Sequence, residues 1–253
     1  MSTFQTLDNL NGKVAVIIGG NGAVGFATAK RLANLGASCV LISRHAVEKG
    51  KAQLPLLNGD KHLCIDASIT DSATLKAAVT KVQETFGRCD ILVNSAGFTK
   101  PIPAANLEDL TDEIIDDVMK SNFRGVLACI RAFQPLLNAS GDGVIINVSS
   151  ISAFTGVGSN LAYVAAKAGL DIVSESLAKA LAPTIRVLCV SPGVVDSSFV
   201  PGRGADFNEK TAKTTPLNRI GIPDDVASAI EACVTRLRFS TGTRIVIDGG
   251  RHL

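Results

Sequence analysis

Short apolar runs punctuate the chain at regular distances. VAVII (14–18), CVLI (39–42), HLCI (62–65), ILVN (91–94), VIINV (144–148), IRVLCV (185–190) and RIVID (244–248) are rich in Val, Ile and Leu. Most show no polar alternation, as expected of strands buried on both faces of a parallel sheet. Amphipathic stretches separate them. FATAKRLANLG (26–36) is one. Another spans 71–86, where Leu75, Val79, Val82 and Phe86 recur at steps of three and four, with Gly87 as a helix stop. Further helices are expected over about 107–137, 160–181 (ended by Pro183) and 224–237. The alternation predicts an α/β fold: an open, doubly wound parallel sheet of about seven strands with helices on both faces. No composition break, repeat or low-complexity segment interrupts it, so residues 1–253 are read as one domain. The irregular stretch at about 195–219 is long for a compact domain, which suggests a substrate loop or lid over a merely solvated segment.

Composition narrows the function classes. The net charge is +2 with both signs dispersed, so there is no stripe for nucleic acid or an anionic membrane. The six cysteines are scattered without a CxxC and sit mostly in apolar runs, as buried thiols of a reducing compartment do. The three histidines lack ligand spacing, so no metal site is expected. The N-terminal residues lack the apolar core of a signal peptide, and no run reaches membrane-spanning length. A cytoplasmic location is the expectation.

Candidate chemistry begins at KVAVIIGGNGAVGFATAK, where Gly20-Asn21-Gly22-Ala23-Val24-Gly25 fits G-x-G-x-x-G between a strand and a helix. Such a turn brings backbone close to a pyrophosphate at a helix N-terminus, the Rossmann-type dinucleotide site. The second strand ends in Ser43-Arg44 with no carboxylate for a ribose hydroxyl. Arg44 offers a fork to a 2′-phosphate, favouring NADP(H) over NAD(H), unless it is only a solvated surface arginine. Tyr163 is the only tyrosine, and Lys167 lies one helical turn on. A nearby ammonium would lower the tyrosine pKa and fit it for proton transfer. Y-x-x-x-K alone is weak, but Ser149 and Ser150 end one strand and NSAG (94–97) ends another, where open α/β sheets bind ligands.

In order, the glycine turn, Asp66-Ala67-Ser68, Asn94-Ser95-Ala96-Gly97, Asn122, Ser150, Tyr163 with Lys167, Pro192-Gly193, and Thr241-Gly242 with Asp248-Gly249-Gly250 resemble the short-chain dehydrogenase/reductase family over nearly the whole chain. The resemblance implies a catalytic set of Asn122, Ser150, Tyr163 and Lys167. Tyr163 would exchange the proton, Ser150 hold the substrate oxygen (Ser149 if the register slips), and Lys167 bind the nicotinamide ribose as well as tune Tyr163. Asn122 would hold a relay water. It also implies cofactor contacts from Gly19, Asn21, Gly22, Ala23, Val24 and Gly25, from Ser43 and Arg44, and from Asp66 at the adenine with Ala67 beside it. Asn94, Ala96 and Gly97 would support sheet and cofactor. Pro192, Gly193 and Val195 would shape the nicotinamide pocket, with Ser197 on the carboxamide. The family's usual T-G-x-x-x-G-x-G is altered: Ile18 stands for Thr and Ala23 for the middle Gly, with Gly22 as an extra glycine.

The expected activity is hydride transfer between NADP(H) and a small-molecule carbonyl or secondary alcohol. Expected pocket walls are Phe98, Ile151, Phe154, Val194, Phe199 and Phe207, with Arg203 and Lys210 available to an acidic group. TPLNRIGIPDDVA (215–227) also resembles 3-oxoacyl-carrier-protein reductases. NASGDG (138–143) and APT (182–184) offer no basic residue to a carrier protein, so that reading stands second. A non-catalytic NADP(H)-binding regulator stands third, because it has no reason to keep all four catalytic residues. The resemblance implies a homotetramer, with a homodimer as the alternative.

Overall fold

The computed structural model describes residues 9–202, 204 and 206–253. Seven strands form one sheet: β1 Val14–Ile18, β2 Ser38–Ser43, β3 Leu63–Asp66, β4 Ile91–Asn94, β5 Gly143–Val148, β6 Ile185–Pro192 and β7 Thr243–Ile247. Their order is β3-β2-β1-β4-β5-β6-β7, and every neighbouring pair is parallel. The connection from β3 to β4 reverses the direction of winding, so a crevice opens between the carboxyl ends of β1 and β4.

Successive side chains of the apolar runs enter opposite cores. Val14, Val16, Ile18, Val40, Ile42, Leu92, Ile145 and Val187 pack against helices α3 (Ser72–Phe86), α5 (Gly125–Ala139) and α7 (Leu161–Leu181). Ala15, Ile17, Cys39, Leu41, Ile91, Val93, Val144, Ile146, Leu188 and Val190 pack against α1 (Ala23–Asn34) and α9 (Pro223–Thr235). Burial on both faces is why the strands carry no polar alternation. Helix α3 starts where Asp71 accepts from the amides of Ala73 (2.9 Å) and Thr74 (3.4 Å), and stops at Gly87, φ +70°.

Several boundaries depart from expectation. The stretch 107–137 resolves into α4 (Asp112–Met119), a π-helical turn at Lys120–Arg124, and α5. Helix α9 ends at Thr235. Two helices carry no clear periodic signal. Helix α2 (Ala46–Gln53) contains Gly50, where a Cβ would stand 2.4 Å from the Cys64 sulfur, so tertiary packing overrides helix propensity. Helix α8 (Phe207–Lys213) lies inside the expected loop and carries two exposed i,i+4 pairs, Asp206–Lys210 and Glu209–Lys213. Lys210 is therefore paired with Asp206, and Arg203 lies outside the described residues. Cys39, Cys89, Cys129, Cys189 and Cys233 are buried free thiols, and Cys64 is half-buried.

Candidate active site

The chain leaves β1 through Gly19, whose φ of +76° suits glycine. A Cβ there would lie 2.7 Å from the Ala96 amide nitrogen, and one at Gly25 would lie 2.3 Å from the Gly19 carbonyl oxygen. These glycines pack the turn against itself and the end of β4. Ile18 and Ala23, the departures from the family pattern, lie at the end of β1 and the start of α1. Ile18 is core, and Ala23 opens α1. Gly22 precedes α1, with no side-chain cap and no acidic residue in the first turn. The positive end of α1 thus faces the crevice uncapped, which fits a dinucleotide pyrophosphate.

Asn21 is held from both sides. Ser43 Oγ donates to its Oδ1 at 2.8 Å, and its Nδ2 donates to Gln53 Oε1 at 2.7 Å. Gln53 escaped the sequence reading because its helix did. Arg44 is exposed at the end of β2 and makes no hydrogen bond or ion pair among the described residues. Asp66 accepts from the Val47 amide at 2.9 Å, and buried Ala67 follows it.

At the end of β4, Asn94 Nδ2 donates to Asn147 Oδ1 (2.8 Å), and Asn147 Nδ2 donates to Ser174 Oγ (2.9 Å). This buried polar chain links the centre of the sheet to α7. Asn147 was legible as a polar residue inside a buried strand, but its partners were not. Gly97 lies against Asn122: a Cβ there would stand 2.7 Å from Asn122 Oδ1. Asn122 sits in the π-helical turn, fully buried, and donates to the carbonyls of Phe98 (2.6 Å) and Val118 (2.9 Å).

Ser150, Tyr163 and Lys167 converge beyond β5. Asn160 caps α7, accepting from the Tyr163 amide at 2.7 Å. Tyr163 and Lys167 then lie on one face, with Lys167 Nζ 5.6 Å from the ring centroid. Lys167 donates to the Val148 carbonyl at 2.7 Å. Ser150 Oγ donates to Ser152 Oγ at 3.1 Å and accepts from the Ser152 amide at 3.1 Å, while the Ser149 hydroxyl is buried with no hydrogen-bond partner among the described residues. Phe199 leans over the Tyr163 ring at 6.1 Å between centroids. Among the other expected pocket walls, Phe98 and Phe154 are exposed, Ile151, Val194 and Phe207 half-buried. Pro192 ends β6, and its carbonyl accepts from the Ile151 amide. Gly193 is packed against Asp248, Val195 bridges to Gly221, and Ser197 Oγ accepts weakly from the Phe199 amide.

The electrostatics correct one expectation. Burial pushes the Tyr163 pKa up to about 12, against a smaller pull downward from Ser150. Burial also drags Lys167 down to about 8. For these two buried side chains desolvation outweighs the lowering expected from the neighbouring ammonium.

A family described as enoyl-(acyl carrier protein) reductase matches residues 20–252. A Streptomyces violaceoruber protein named as ketoacyl reductase 2 of granaticin polyketide synthase is 34% identical, over 95% of this chain and 96% of its own. The cis-4-hydroxycyclohexanecarboxylate dehydrogenase of Sinomonas cyclohexanicum is 32% identical, over 94% and 96%. A short-chain dehydrogenase/reductase of Brucella melitensis, titled a glucose/ribitol dehydrogenase, superposes with a TM-score of 0.88 at 28% identity, covering 97% of this chain and 98% of that one. The chain is a short-chain dehydrogenase/reductase. It is accordingly an oxidoreductase of the NAD(P)-binding kind. Among its described residues no helix is long and apolar enough to cross a membrane, and no side-chain cluster could hold a metal ion.

Proposed function

We propose that this protein interconverts a carbonyl compound and its secondary alcohol with NADP(H), using Tyr163 as proton donor and acceptor. The convergence of the Ser150 hydroxyl and the Tyr163 phenol beyond β5, with Lys167 one turn behind, carries this reading. The cofactor would be held by the uncapped start of α1 with Gly19, Asn21, Gly22, Ala23, Val24 and Gly25. Ser43, Arg44, Asp66, Ala67, Asn94, Ala96 and Gly97 would line the adenosine side and the sheet. Pro192, Gly193, Val195 and Ser197 would line the nicotinamide side. When bound, the nicotinamide supplies or accepts the hydride. Ser150 orients the substrate oxygen, and Tyr163 delivers a proton to it in reduction or takes one in oxidation. Lys167 supports the tyrosine from behind, and Asn122 joins the relay. Phe199, over the Tyr163 ring, and the other apolar walls would face the substrate.

The unpartnered Arg44 and the absence of a carboxylate at the end of β2 support NADP(H) over NAD(H). Parallel fluorescence titrations should show NADPH binding at least about tenfold tighter, worth about 1.4 kcal/mol. Tyr163→Phe should keep cofactor binding and lose turnover by about 10²–10⁴-fold. A Phe variant retaining more than about a tenth of wild-type kcat contradicts proton transfer by Tyr163.

The ketoacyl reductase relative favours a second reading, reduction of a 3-oxoacyl carrier-protein substrate. Turnover of free ketones without turnover of acyl-carrier substrate eliminates it. Assembly as a homotetramer belongs to the same proposal. Ile172 and Leu161 on α7 are exposed apolar residues suited to a subunit contact. Light scattering that shows a monomer at micromolar concentration would overturn it.

A further inference from the structure

Beyond β7 the chain closes in a turn over 248–252 that is stitched to itself. The Gly250 amide donates to Asp248 Oδ1 at 2.9 Å, and the His252 amide and ring Nδ1 donate to Asp248 Oδ2 at 2.8 and 2.7 Å. Three separate segments of the candidate site meet this turn. Gly193, just after β6, packs on the Asp248 side chain and donates its amide to the Ile247 carbonyl at 2.9 Å. Arg251 reaches the carboxyl end of α8, where its Nη1 donates to Thr214 Oγ1 at 2.9 Å, Thr215 Oγ1 at 3.3 Å and the Thr211 carbonyl at 3.4 Å. His252 sets its ring edge-on to Phe154, 5.6 Å between centroids, in the short helix α6 (Ser152–Thr155) that follows Ser150.

The contact with α8 is closely packed. Thr211 and Thr215 are 5% and 4% exposed. A Cβ at Gly249 would stand 2.9 Å from Thr215 Cγ2, so the turn lies directly on α8 and the residues after it. The Leu217 amide donates to the Gly249 carbonyl at 3.1 Å. A guanidinium at a helix carboxyl end also meets the negative end of the helix dipole. At its amino end α8 is tied forward, because Asn208 Nδ2 donates to Asp196 Oδ1 at 3.0 Å. Asp196 begins the loop that carries Ser197 and Phe199, and Phe199 leans over Tyr163. A line of contacts thus runs from Arg251 through α8 to the cover of the phenol. The line from His252 is shorter: it reaches Phe154 directly, and the Arg244 guanidinium lies 4.9 Å from the centroid of the same ring.

We propose that Arg251 and His252 are positioning residues for the substrate pocket: Arg251 fixes α8 and, through it, the loop bearing Phe199, while His252 fixes Phe154 on the segment after Ser150. That these segments face a substrate rests on the function proposed above; the anchoring does not. Such anchors act on how well the walls fit the substrate, and so on KM before kcat.

Amide hydrogen exchange in cofactor-free protein reads the anchoring without a substrate. Arg251→Met should speed exchange by about fivefold or more across 207–217 and leave 152–157 as in wild type. Arg251→Lys keeps the charge and should restore most of the protection. His252→Ala should speed exchange across 152–157 and leave 207–217 as in wild type. Exchange unchanged in the segment assigned to each residue, or faster across the whole chain, overturns the anchoring. If one variant does not fold, the other still decides by its own segment. Steady-state kinetics with NADPH and a panel of cyclic, aryl and 3-oxo ketones then reads the pocket. Arg251→Met should raise KM about fivefold with kcat changed less than about twofold, and His252→Ala should reorder the panel by kcat/KM. Wild-type kinetics in both variants, or kcat lost with KM unchanged, overturns their part in the pocket. Segment-specific exchange in a protein that turns over no ketone of the panel would refute the proposed function and leave the anchoring standing.

Discussion

Replacing Lys167 with Met should stabilise the cofactor-free protein. Lys167 is 4% exposed, and burial draws its pKa from 10.5 to about 8. Each tenfold step in a proton equilibrium is worth about 1.4 kcal/mol, so carrying the ammonium in this pocket at neutral pH costs about 3 kcal/mol. Met has a similar length and no charge, and its substitution costs mainly the hydrogen bond to the Val148 carbonyl, about 1 kcal/mol. The net expectation is a gain of about 2 kcal/mol at pH 7, together with loss of turnover. The sign of the pH dependence is fixed. The folded pKa lies below the unfolded one, so between pH 8 and about 10.4 the unfolded chain holds a proton that the folded chain has released. Wild type therefore gains on the Met variant across that window, and the gap narrows. Buried thiols work the other way in both proteins. Cys39 and Cys129 are raised to about 12 by burial alone, which erodes stability at alkaline pH, but this cancels in the comparison. Urea unfolding followed by far-UV circular dichroism, at fixed protein concentration and several pH values, reads both effects. A Met variant less stable than wild type at pH 7, or a gap independent of pH, would refute the reasoning.

Three further outcomes are expected. Asn160→Ala removes the α7 cap and the ties from Asn160 Nδ2 to Thr99 and the Lys100 carbonyl, which should cost about 1 kcal/mol in urea unfolding and lower kcat by shifting Tyr163. Equal stability in the variant would show that the cap is not used. Asp90 is 1% exposed; burial raises its pKa, but Arg88, the Val14 amide and Lys13 together hold it below the usual range. Its contribution is present above the unfolded carboxylate pKa near ~3.9 and lost as pH falls, so Asp90→Asn should cost about 2 kcal/mol at pH 7 and progressively less under acid; a deficit that persists unchanged in acid counts against this. Phe199→Ala should admit water to Tyr163 and bring its pKa down from about 12. Since Tyr163 is the only tyrosine and tryptophan is absent, phenolate absorbance reports it alone, and a midpoint at or above that of wild type would exclude Phe199 as the cover.

The sheet was legible because its five inner strands are buried on both faces. Each apolar run of β1, β2, β4, β5 and β6 sends alternate residues into separate cores, so few polar positions break it. Helices α3 and α7 were legible because their signals are local: Asp71 with Gly87, and Asn160 with Pro183. Helices α2 and α8 were not. Gly50 makes α2 look like a loop until Cys64 is seen packed on it, and α8 is held partly by surface ion pairs with no apolar stripe. The π-helical turn at Lys120–Arg124 was hidden inside a stretch that reads as a single helix. There the Asn122 side chain bonds the Phe98 backbone, a residue distant in sequence that no periodicity reveals.

The identity of the proposed catalytic residues and their state of charge are set on different scales. Tyr163 and Lys167 fall on one helix face by spacing alone, and register brings Ser150 to them. Their acidity depends on what covers them. That cover comes from elements distant in sequence: Phe199, from the loop after β6, leans over the Tyr163 ring, and the Val148 carbonyl, at the end of β5, accepts from Lys167. A pairwise argument from Lys167 to Tyr163 therefore gives the wrong sign for the tyrosine, because it counts one charge and leaves out the loss of water around both groups.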